Sequence, residues 1–146
     1  MANISAILNK KNTERCFFIA LKRKEGEEME EYNYCMIPLT TEPNQQMQVK
    51  VPINKENISF LLTIRYNNIA QYWNMDIADG NTGEMILSGL LLLVSESPAA
   101  NLLEQYSYLN IGSMYVVKVN ESIKKENPDN TNLGTDFVLI WGDNIE

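Results

Sequence analysis

Side chains with the means to do chemistry are sparse here. Asp76, Asp79, Asn81 and Glu84 crowd one short stretch and superficially suggest an oxygen cage for calcium. They miss the ligand spacing of the twelve-residue calcium loop. A solvated hairpin turn accounts for them more simply, because Asp, Asn and Gly dominate turns for their own backbone reasons. The chain has no histidine, which removes the commonest general base and the commonest metal ligand. A serine or cysteine nucleophile would lack its usual partner. Two cysteines without histidine do not make a structural zinc set. The glycines stand singly at turns and form no phosphate-cradling loop. The residues therefore predict no enzyme, no metal and no cofactor.

Cys16 and Cys35 sit in apolar contexts, Arg15-Cys16-Phe17-Phe18 and Tyr34-Cys35-Met36-Ile37, where a buried thiol behaves as a small hydrophobe. A disulfide is conceivable if these two runs pair as neighbouring strands. No signal peptide supports an oxidising compartment, so free, buried thiols are the expectation.

The elements that would hold these groups are strands. In residues 58–66, Ile58, Phe60, Leu62, Ile64 and Tyr66 interleave with Ser59, Leu61, Thr63 and Arg65. After the polar break Asn67-Asn68, Trp73, Met75 and Ile77 oppose Asn74, Asp76 and Ala78. A period of two marks half-buried β-strands, and two such runs across a short polar turn predict an antiparallel hairpin. Further strands are predicted at residues 15–22, 32–39, 47–53, 84–94, 114–120 and 135–142. The charge run at residues 22–31 reads as a solvated hairpin loop. Pro52 places its strand at an edge or at its end, and Gly89 marks a bulge or bend. In the last strand Phe137, Leu139 and Trp141 share one face. Residues 101–108 predict a brief helix with Asn101 as its cap and Leu102, Leu103 and Tyr106 at helical spacing. The fold class is all-β: an antiparallel barrel or sandwich of seven to eight strands with one short helix.

The length suits one domain, in which residues 1–31 read as an N-terminal arm with an added strand and residues 32–146 as the β-domain. The arm is polar apart from Ile4, Ala6, Ile7 and Leu8; it reads as a frayed helix, an extended arm or a mobile tail. A net charge of −7, with no basic patch along the chain, argues against nucleic-acid binding. The longest apolar run, around residues 90–94, falls short of the roughly 20 residues a membrane helix needs. The expectation is a soluble protein made in the cytosol, with no membrane partner.

Several short motifs follow one another in a telling order. They are Ile37-Pro38-Leu39, Pro43-Asn44-Gln45, Tyr72-Trp73 before Asp76, Leu102-Leu103 with Tyr106, and Leu133-Gly134. This order resembles the small baseplate plug proteins of contractile-tailed phages and phage-tail-like bacteriocins, over roughly three quarters of the chain. Residues 1–32 look like an addition, and the loop at residues 122–132 looks longer than the family's. The resemblance implies a structural component of the tail baseplate that joins the end of the tail tube to the hub and spike and helps to close or line the channel. Tail tube, hub, spike and tape-measure proteins would be its partners, alongside copies of itself in a ring. It would be made in the host bacterial cytoplasm and reside at the virion tail tip. The family carries no catalytic residues. Subunit contacts would fall on Ile4, Ile7 and Leu8 of the arm and on Leu102, Leu103 and Tyr106 of the connector, although core packing is the plainer role for the connector. A tail-tube or sheath-initiating protein is the alternative within this class. A carbohydrate-binding β-sandwich, with Tyr72, Trp73 and Trp141 as stacking platforms, is the alternative from another class; strand alternation favours core positions for both tryptophans.

Overall fold

The computed structural model describes residues 2–3, 16–23, 30–94 and 101–143. Their strands, in chain order, are β1 (Ala2–Asn3), β2 (Cys16–Arg23), β3 (Glu30–Ile37), β4 (Asn44–Ile53), β5 (Glu56–Asn67), β6 (Tyr72–Asp79), β7 (Met85–Leu91), β8 (Ser113–Lys118) and β9 (Phe137–Gly142). One sheet has the order β1-β2-β3-β9-β8 and the other β4-β5-β6-β7. All pairings between these strands are antiparallel. The chain thus forms an open sandwich, in which the seven strands β3 to β9 make the two layers and β1 and β2 extend the first. It is not a closed barrel.

The hairpin expected at residues 58–78 is β5–β6, in register from Phe60↔Asp79 to Asn67↔Tyr72. Its turn is locked by Asn67, whose Oδ1 accepts the N–H of Ile69 and of Ala70, both at 3.0 Å. Alternation does its work here: Phe60, Leu62, Ile64, Trp73, Met75 and Ile77 are all buried. They meet Ile37, Met114, Val116, Phe137, Leu139 and Trp141 from the opposite sheet in one apolar cluster. Trp141 stacks on Phe60 across the layers, with ring centroids 4.3 Å apart. Burying aromatic surface of this size is the main driving term for such a sandwich.

Two expectations change at this level. The brief helix expected at residues 101–108 is a 3₁₀ helix over Glu104–Leu109, but Asn101 does not cap it: its cap position is Leu103, which offers no side-chain bond. Asn101 instead uses Oδ1 to accept the N–H of Leu103 and of Met114, each at 2.9 Å. It ties the connector to β8, because a short amide acceptor serves any nearby free donor. The cysteines are the second change. Cys35 is disulfide-bonded, and Cys16, the other cysteine of the chain, lies directly opposite it in the β2–β3 register. Adjacent antiparallel strands bring facing residues to bridging distance, which sequence context alone does not fix. Of the charge run expected as a loop at residues 22–31, Lys22 and Arg23 end β2 and Glu30 and Glu31 begin β3, while residues 24–29 lie outside those described.

Candidate functional site

The acidic stretch resolves into two unrelated turns of chain. Asp79 belongs to the β6–β7 turn: its Oδ1 accepts the N–H of Asn81 at 2.7 Å and of Thr82 at 3.0 Å. The turn closes through Gly83 N–H donating to Asp79 O at 2.8 Å. Asp76 faces the other way, on the solvent side of the sheet. Its Oδ1 accepts the Ser88 hydroxyl and the Gly89 N–H, both at 2.9 Å, and its Oδ2 pairs with Arg65 at 2.8 Å. Here two β7 residues oppose one β6 residue, the bulge expected at Gly89, which takes φ +74. That positive φ is what a bulge of this kind demands and what glycine supplies without strain. Partial burial pushes the Asp76 carboxyl up, but the Gly89 N–H, the Arg65 guanidinium and the Ser88 hydroxyl outweigh it, so the group titrates below the usual carboxylate range. The carboxylate is structural, pinning the bulge. Among the described residues no group of three or more His, Cys, Asp or Glu is placed to hold a metal ion. No helix among them is long and apolar enough to cross a membrane.

A third acidic group sits in the loop between β8 and β9. Asp129 accepts the N–H and the hydroxyl of Thr131 on Oδ1. Its buried Oδ2 is met by the Lys125 ammonium. Its backbone carbonyl accepts the Trp73 indole N–H at 2.8 Å. Residues 119–136 are thereby anchored over one end of the sandwich. Trp73 and Trp141 are both fully enclosed, and Trp141 donates its own N–H to the carbonyl of Ile111. Neither ring is available for stacking on a sugar, whereas Tyr72 is half-buried.

The motif residues meet in space. Gln45 clamps the loop before β4, donating to the carbonyls of Thr40 at 2.8 Å and Glu42 at 3.1 Å and accepting the Thr40 N–H at 3.1 Å. Gly134, at φ +90, lies so close to Leu39 that any Cβ would overlap the Leu39 carbonyl oxygen. The Leu39 and Gly134 motifs, far apart in the chain, are two halves of one packing contact. Of the proposed connector contacts, Leu103 is fully enclosed in the core, and Leu102 and Tyr106 pack half-buried against it. Tyr108, 74% exposed, is the outward ring of that turn. Ile4, Ile7 and Leu8 lie outside the described residues.

What the molecule offers to other molecules is mainly edges and tips. Ile69, at the β5–β6 turn, is 98% exposed, and Met85, Leu91 and Leu93 project from β7 and its continuation. The opposite edge strand, β4, carries Lys50 and Pro52. In a two-residue hairpin the flanking pair, here Ile53 and Glu56, exchanges both backbone bonds, so Pro52 stands where an N–H would point off the edge. Its lack of an N–H blunts that edge.

Comparison with known families bears on this arrangement. A family model described as "Cyanophage baseplate Pam3 plug gp18" matches residues 34–144. That span takes in the second half of β3 and all of β4 to β9, which is both layers of the sandwich. No curated protein matches the chain.

Proposed function

From the premise that the chain belongs to the cyanophage baseplate Pam3 plug gp18 family, we propose that it is a structural component of a contractile tail baseplate. In this reading it joins the end of the tail tube to the hub and spike, helps to close or line the central channel, and works without making or breaking bonds. The observation that carries it is the extent of the match, which runs from the middle of β3 through β9 and spans both layers of the sandwich. The geometry supports the same reading. The acidic side chains with described partners pin turns and a bulge, and the surface features are strand edges, a rigid hairpin tip and a glycine-tight packed end. A rigid block of this kind is suited to being held by neighbours.

We further propose that the arm at residues 1–31 reaches a neighbouring subunit or hub protein through Ile4, Ile7 and Leu8, with Leu102 and Tyr106 beside it on the connector. Tail tube, hub, spike and tape-measure proteins are the proposed partners, together with further copies in a ring. Cryo-electron reconstruction of purified tail particles tests the main reading. Density for this sandwich at the tail tip is expected, and its absence from the particles would overturn the assignment. Deleting residues 1–11 tests the arm: reduced incorporation is expected, and unchanged incorporation removes that contact.

A further inference from the structure

We infer that the free edge of β7, continued through Leu93, docks against the same edge of a second copy of this chain and joins the two four-stranded sheets across a two-fold axis. This rests on the reading that copies of the chain assemble with one another, and it names the surface. Among the described residues β7 is the last strand of its sheet and pairs only with β6. Leu92 N–H donates to the Trp73 carbonyl at 3.0 Å. In an antiparallel ladder alternate residues turn their N–H and C=O to opposite sides, so those of Leu91 and Leu93 face off the edge. The two residues are 39% and 37% exposed, large apolar groups on an edge strand. Such an edge is a template for another strand.

Two of the other edges, β8 and β4, are closed to this use. On β8, Leu102 N–H donates to the Met114 carbonyl, and Lys118 reaches the carbonyl of Ile123. On β4 there are Lys50 and the donor-less Pro52. The occupant follows from charge and register. Each copy carries −7, so two copies repel except where the surface is neutral, and the run from Met85 to Val94 holds no charged residue. Strands related by a two-fold axis are antiparallel. With the axis at Leu92, Leu91 of one copy faces Leu93 of the other, and each pair exchanges both backbone hydrogen bonds. Pairing with β4 would instead set the leucines beside Gln46, Gln48 and Lys50, a poorer cross-strand match.

Light scattering or sedimentation of the full chain over a concentration series tests this. Wild type is expected to form a dimer or an even multiple. The double substitution Leu91→Lys with Leu93→Lys is expected to weaken that association by roughly 30-fold or more, the scale of a central interface residue. Asn44→Lys, exposed on the opposite edge strand β4, should leave it unchanged. Amide exchange on wild type supplies a readout that needs no variant: the Leu91 and Leu93 N–H groups should become protected as concentration rises. An association that survives the double substitution with circular dichroism intact would overturn the edge while leaving self-assembly standing. A chain that stays monomeric throughout would overturn both.

Discussion

β5 and β9 are both interior strands of their sheets, yet they are buried differently. Along β5 the burial alternates, and its solvent side is a hydrogen-bonded polar face: Gln46 donates to Thr63, Gln48 to Ser59 and to the Gly80 carbonyl, and Arg65 pairs with Asp76. All six residues of β9 are buried. Phe137, Leu139 and Trp141 enter the main core, while Val138 and Ile140 join Tyr34 and Tyr115 in a second cluster on the reverse face. One sheet is therefore a wall between core and water. The other sheet buries apolar side chains on both faces of β9, and a strand in that position loses its period of two.

The largest effect should come from the ring that bridges the layers. Trp141→Ala removes the stack on Phe60 and the donor to Ile111, and is expected to cost about 3–5 kcal/mol in urea unfolding. The contrast between the sheets is then tested by truncating both faces of each. Leu139→Ala and Ile140→Ala, on opposite faces of β9, should both cost about 2–5 kcal/mol, whereas in β5 Leu62→Ala should do so and Thr63→Ala should stay within about 0.5 kcal/mol. An Ile140 effect as small as that of Thr63 would erase the distinction. The five-stranded sheet also carries the bridge at Cys35, which closes a loop to Cys16. Reductant, or Cys35→Ser, is expected to cost about 2–4 kcal/mol and to leave the four-stranded sheet's own hairpin intact, as read by amide exchange.

The same contrast explains what the residue pattern revealed. β5 and β6 were legible because one face meets water and writes its alternation into the chain. Pro52 at an edge and Gly89 at a bulge were legible because each has a single backbone reason for its position. β8 was legible as a strand but not by face: Met114 and Val116 enter the main core, while Tyr115 and Val117 belong to the cluster on the reverse face. With apolar residues on both faces, a slip of one position changes nothing in the pattern. The disulfide escaped because it depends on the register of β2 against β3, a tertiary fact. Asn101 escaped because its amide serves a strand neighbour distant in sequence. Asp129 escaped because its role lies in a backbone carbonyl, which every residue has. Of the proposed contact residues, Leu103 shows the ambiguity most plainly, since leucine at a regular spacing reads alike for an interface and for a core.

A small effect is also expected on the polar face itself, at Asp76. Its folded carboxyl titrates below the usual range because the Gly89, Arg65 and Ser88 contacts outweigh burial. A depressed folded value means the unfolded state takes up the proton first on acidification. The stabilisation is therefore complete above the unfolded value of about 3.9 and disappears as the pH falls through the lower folded one. Asp76→Asn should cost about 1 kcal/mol or less at pH 7, because Arg65 is half exposed and well screened. The gap between wild type and variant in urea midpoints should be flat from pH 7 to 5 and close below about 4. It should also narrow in high salt, as an exposed partner requires. A gap that widened on acidification would mean that burial wins at this site, and the four-stranded sheet would then not be the wholly solvent-adapted wall that separates it from its partner layer.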